Sequence, residues 1–101
     1  KVFRHSAIIG RWVPVQEFRN FGTTPFSLSI DGHVKQRGLA ADMRLSIADC
    51  LVYASEYFDL CAGDLVFTGT PAGVGAVSGG QVATLEWGSL VSYQVKWASN
   101  G

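Results

Sequence analysis

From residue 26 the chain alternates. Phe26, Leu28 and Ile30 are apolar, while Ser27, Ser29 and Asp31 between them are polar. A period of two is the mark of a strand with one face buried. Asp31-Gly32 follows, a two-residue turn suited to the left-handed backbone that closes a hairpin. Residues 33–37 therefore read as the returning strand, and Gly38 ends it. The period then changes. Across residues 46–58, Ile47, Cys50, Leu51, Ala54 and Phe58 recur at helical spacing, with Asp49, Ser55 and Glu56 on the opposite side. Ser46 and Asp49 resemble a capping box with Asp in place of the usual Glu.

Beyond Gly63 the apolar run "DLVFTG" reads as a buried strand. A glycine-rich stretch follows it. Residues 81–87 and 90–97 then read as two strands joined through Gly88-Ser89. Near the N-terminus, "SAIIG" and "RWVPV" read as extended segments, with Pro14 at a strand edge or end. Residues 16–25 read as a surface loop. One helix among strands, with no alternation of the two, excludes a doubly wound sheet. The expectation is a mainly β fold with one helix (α+β), a single domain over residues 1–101.

Composition narrows the function classes. Lys and Arg number 8, as do Asp and Glu, so the net charge is zero. Without a basic field, nucleic acid and anionic membrane are not expected partners. Cys50 and Cys61 are read as a reduced pair in a cytoplasmic protein, Cys50 being a small apolar residue on the helix's inner face. The chain opens at Lys1 on an already apolar segment, which reads as the middle of a protein.

Candidate chemistry centres on "DLVFTGTPAGVGAVSGG", residues 64–80. Five glycines within twelve residues are more backbone freedom than a turn requires. No Lys follows them and no helical pattern opens after them, so a phosphate cradle is not expected. The hydroxyls of Thr68 and Thr70 stand at the end of the expected strand, and Gly69 would let a ligand approach the main chain. A carboxylate or keto oxygen suits such donors. The eight acids are scattered without an ExE or DxD pair, and no Ser-His-Asp set is legible. On the residues alone, the loop is equally compatible with a plain surface loop.

Four blocks, in order, resemble the C-terminal portion of the fumarylacetoacetate hydrolase family, most of all its bacterial acylpyruvate and fumarylpyruvate hydrolases. They are "KVFRHSAIIGRWVP", "LSIDGHVKQRG", "ADMRLSIADCLVYASEYFDL" and "AGDLVFTGTPAGVGAV". The resemblance implies an incomplete mixed β-roll. It also implies a Mg²⁺- or Mn²⁺-dependent hydrolase that cleaves a carbon–carbon bond of a 1,3-diketo acid, in the catabolism of aromatic compounds. A divalent cation would chelate the keto and carboxylate oxygens and stabilise the enolate left by cleavage. By the match, Lys1 falls on the active-site lysine. Thr70 falls on a substrate-contacting threonine with Gly69 beside it, and Gln36 on a recurrent hairpin glutamine.

The family's metal-binding carboxylates precede the lysine block and have no counterpart in these 101 residues. Arg4 and His5 stand where the family has small or hydroxyl residues. The expected partners are a small keto-acid substrate and either a second copy of the chain or a complementary N-terminal half. The alternative to a catalytic fragment is an inactive ligand-binding or dimerising module that keeps the substrate side of the site.

Overall fold

A computed structural model describes residues 6–98. Its centre is a four-stranded antiparallel sheet in the order β2-β1-β3-β4, made of β1 (Phe26–Ile30), β2 (His33–Gly38), β3 (Val82–Trp87) and β4 (Val91–Lys96). The one α-helix, α1 (Ile47–Ser55), lies between β2 and β3 in the chain. The fold is α+β, as the patterning predicts.

The hairpin turn takes the expected form, with Asp31 at φ 48° and Gly32 at φ 82°. Asp31 also ties the hairpin to its neighbour strand. Its backbone N–H donates to the carbonyl of Val82 at 2.8 Å, and its Oδ1 accepts from the Val82 N–H at 2.9 Å.

The ladder between β1 and β2 contains an irregularity that the alternation does not announce. Ile30 faces His33 and Ser29 faces Val34, but Leu28 faces Gln36, so Lys35 is an extra residue. An unbroken ladder would place Lys35 and Arg37 opposite Leu28 and Phe26, on the apolar face. Burying such charges without partners is costly. The bulge rotates the rest of β2 by one position, turning Gln36 and Gly38 to that face instead.

The apolar face of the sheet gathers Leu28, Leu85 and Tyr93, which lie side by side across three strands, and Phe26, Trp87 and Val91, which do the same. At one end, Trp87 meets Phe18, Phe21 and Phe26 edge-on at centroid distances of 5.2, 6.1 and 5.7 Å. Its Nε1–H donates to the Thr24 carbonyl at 2.9 Å. Each such ring pair contributes about 0.5–1.5 kcal/mol beyond burial. Residues 16–25 are thus more than a surface loop. They hold parts of two 3₁₀ turns, Val15–Glu17 and Phe21–Thr23, and bury Phe18. Rings spaced three apart on short turns can reach one indole, a contact no strand or helix period encodes.

Three other expectations are corrected. First, "SAIIG" and "RWVPV" form no strand among the described residues; Val15 opens a 3₁₀ turn, and Ile8, Ile9 and Trp12 are exposed. Second, "DLVFTG" is likewise not a strand, and Leu65, Val66 and Phe67 are exposed. A strand exists only as a ladder, and none of the four sheet strands pairs with these segments. Third, α1 ends at Ser55 rather than residue 58, and Leu51 and Phe58 on its expected inner face are exposed. Its N-terminus is as expected, with Ser46 accepting from the Asp49 N–H at 3.0 Å. Cys50 and Cys61 are both free thiols.

Only Phe18, Ile30, Ala40 and Ala83 are buried apolar residues among those described. The accessible surface is 8154 Å², against about 5,600 Å² for a folded monomer of this mass. The radius of gyration is 15.1 Å, where about 13 Å is usual for this length.

Candidate functional site

The sheet's apolar face does not meet α1 directly along its length. Between the sheet, the segment running into α1 and the loop at residues 68–71 lies a cleft of about 840 Å³. Leu28, Leu85, Trp87 and Tyr93 form its apolar wall. Across it stand Met43 and Ile47 from the helix entry, and Thr68, Gly69, Thr70 and Pro71 from the glycine-rich loop. Of the charged groups beside it, Asp42 and Arg44 come from the helix entry, while Arg37 and Glu86 flank Ser27 on the sheet's other face.

Two site residues expected from sequence meet here. Gln36 Nε2 donates to Thr70 Oγ1 at 2.8 Å and to the Pro71 carbonyl at 2.9 Å. The β2 bulge makes this meeting geometrically available, because it alone turns Gln36 toward the cleft. Among the described residues, these two bonds are the only hydrogen bonds made anywhere in residues 65–77.

Two glycines let the loop take this course. Gly69 sits at φ +96°, a left-handed backbone beside Thr70 with open space where a side chain would be. Gly73 sits at φ +105°, pressed so closely on the backbone of β2 that a Cβ would collide with the Lys35 carbonyl. That carbonyl belongs to the bulge residue. The irregularity in β2 therefore serves both contacts, receiving Gly73 on its backbone and sending Gln36 to Thr70.

The N-terminal segment reaches the same region from another side. Gly10 lies against the ring of Tyr93, leaving no room for a side chain between them, and Tyr93 lines the cleft. Lys1, with Arg4 and His5, lies outside the described residues. Sequence reasoning missed Arg44 as a cleft residue. Arg44 adjoins the helix cap, and only the folding of residues 39–45 across the sheet brings it to the opening.

The arrangement can hold a small planar anion. It offers a threonine hydroxyl, an open glycine backbone and, from the helix entry, the Arg44 guanidinium around an apolar floor. Among the described residues, no three His, Cys, Asp or Glu side chains are placed to hold a metal ion. The family generally uses a divalent metal, but the described residues do not form a site for one.

Comparison with known proteins places the chain in a family. The model of the fumarylacetoacetate hydrolase C-terminal family matches residues 1–99. The chain is 40% identical over 86 residues to an oxaloacetate tautomerase of Escherichia coli (strain K12), covering 84% of this chain and 39% of that protein. It is 32% identical over 80 residues to a maleylpyruvate hydrolase of Aquipseudomonas alcaligenes, covering 78% of this chain and 28% of that one. A crystal structure of a protein assigned to the same family, from Yersinia pestis CO92, superposes with a TM-score of 0.78 at 34% identity. It covers 84% of this chain and 39% of its own. The chain thus spans well under half the length of the relatives it matches. Its sequence, its sheet and its glycine-rich loop agree on one conclusion: the chain belongs to the fumarylacetoacetate hydrolase family.

Proposed function

We propose that this chain supplies the anion-binding side of a site for enolisable α-keto acids, within an enzyme that hydrolyses a carbon–carbon bond of an acylpyruvate-type substrate. The observation that carries the reading is the union of Gln36, Thr70 and Gly69 at one cleft wall. The pyruvyl end of such a substrate presents a carboxylate and a keto oxygen. Thr70 donates its hydroxyl to one of these oxygens, Gly69 admits the substrate close to the main chain, and Arg44 supplies compensating charge.

In the hydrolysis, water adds to the acyl carbonyl carbon. The carbon–carbon bond breaks and its electron pair passes to the pyruvyl fragment as an enolate. Protonation of that enolate's carbon yields pyruvate, and the acyl part leaves as a carboxylic acid. Hydroxyl and cationic donors stabilise the developing oxyanion. Lys1 would join them at the substrate's oxygens.

Two relatives bear on the reaction. One is a maleylpyruvate hydrolase, which supports hydrolysis. Another is an oxaloacetate tautomerase, a reaction that passes through the enol form of the same kind of keto acid. The pyruvyl-binding half serves both. A second reading, a non-catalytic module that binds the keto acid, is favoured by a cleft with anion donors but no metal-holding cluster among the described residues.

The test is an NMR titration of the ¹⁵N-labelled chain with oxalate, a planar mimic of the pyruvyl enolate. Saturable shifts at the Gly69 and Thr70 amides are expected. Shifts confined to other surfaces, or none, overturn the reading. Turnover assays with acylpyruvate and with oxaloacetate then separate hydrolysis, tautomerisation and binding alone.

A further inference from the structure

Resting on the reading of the cleft as a keto-acid site, we infer that Gln36 is a positioning residue that biases the Thr70 hydroxyl to donate toward the ligand. The inference is carried by the chemistry of the contacts. The Pro71 carbonyl can only accept, so the Gln36 atom 2.9 Å from it is the amide nitrogen, not the amide oxygen. The same nitrogen has a second hydrogen, directed to Thr70 Oγ1 at 2.8 Å. Thr70 Oγ1 is therefore already an acceptor from the protein. Its own proton is not used in that bond and is free to point into the cleft.

The residue is placed for this task by structure around it. The bulge at Lys35 gives Gln36 its orientation, and Gly73 seats the loop on the bulge carbonyl. Gln36 makes the only hydrogen bonds to residues 65–77 among those described, so one side chain fixes both the height of the loop and the direction of its hydroxyl. A free threonine hydroxyl rotates among three staggered positions and can donate or accept. With one lone pair engaged by the amide N–H, it offers its hydrogen to an anion with less reorientation when the ligand arrives.

The test is a double-mutant cycle read by oxalate titration, with amide shifts at Gly69 and Thr70 as the signal. Thr70→Val and Gln36→Leu should each weaken oxalate by about tenfold, the scale of one hydrogen bond to a charged group. The double variant should bind no more weakly than Thr70→Val alone, because Gln36 acts through Thr70. Gln36→Glu preserves length and volume but offers a carboxylate that accepts the threonine proton and draws it from the cleft. It should bind oxalate about tenfold or more weakly than wild type at neutral pH. Relative to wild type it should recover as the pH falls toward about 4, where the glutamic acid can donate again.

Loss of the loop anchor at the Pro71 carbonyl would share this pH dependence but would persist in the Thr70→Val background, where an orienting role has nothing left to act on. If Gln36→Leu does not fold, the Glu variant and the shift of the Gln36 side-chain amide signals in Thr70→Val decide the matter. An additive cycle, or a Glu variant that binds like wild type at neutral pH, overturns the inference while leaving the cleft's reading intact. Wild-type protein whose Gly69 and Thr70 signals ignore oxalate overturns both.

Discussion

Gln36 and Thr70, 34 residues apart in the chain, share a 2.8 Å hydrogen bond across the mouth of the cleft. The bond joins strand β2 to the glycine-rich loop, two segments separated in the chain by α1. The geometry of this bond, and of its neighbours, leads to four predictions.

Gly73→Ala should detach the loop from β2. The substitution adds a Cβ where the Lys35 carbonyl already stands, at a φ that side chains rarely adopt. A loss of about 1–3 kcal/mol is expected in chemical denaturation, with the Gln36 side-chain amide signals moving toward free values. Gly75→Ala, two residues on, meets open space and no positive φ. It should be neutral, or stabilise by about 0.4–1 kcal/mol through the unfolded chain. Equal effects at the two positions would contradict the close approach at Gly73.

Asp31 combines a left-handed backbone with a side-chain bond to the Val82 N–H. Asp31→Ala loses the acceptor and strains the turn, costing about 1–3 kcal/mol. Asp31→Asn tolerates the same backbone and keeps an amide oxygen as acceptor, so it should cost markedly less. Urea denaturation of the two variants side by side checks the ordering.

The surface excess of roughly 2,500 Å² over a compact monomer is of the size that obligate interfaces bury. Ile9, Trp12, Tyr57, Phe58 and Phe67 are among the exposed apolar residues. The isolated chain is expected to self-associate into dimers or larger species. Light scattering across a range of concentrations checks this, and a clean monomer throughout would contradict it.

Calorimetric titration with Mg²⁺ or Mn²⁺ should show no tight binding to this chain alone. Neither its sequence nor its described residues assemble a cluster of acids or imidazoles. Micromolar affinity would mean that ligands have been overlooked.

β1 was legible from its sequence alternation and β2 from the Asp31-Gly32 turn that precedes it, while β4 alternates in burial residue by residue, from Val91 to Lys96. The cap of α1 was legible because Ser46 bonds three residues along, within one turn. The segments at 6–14 and 64–70 have apolar composition suited to strands, yet composition cannot supply a ladder partner.

The sequence by itself determined the local conformations, since hairpin turn, helix cap and strand periodicity are governed by atoms a few residues apart. Through its four blocks it also pointed to the family. Only the tertiary structure decided that Gln36, rather than Lys35, faces the cleft, and that Thr70 receives its hydrogen bond. A one-residue bulge changes every facing beyond it, and its cause, the cost of turning Lys35 and Arg37 onto an apolar face, exists only once the strands are paired.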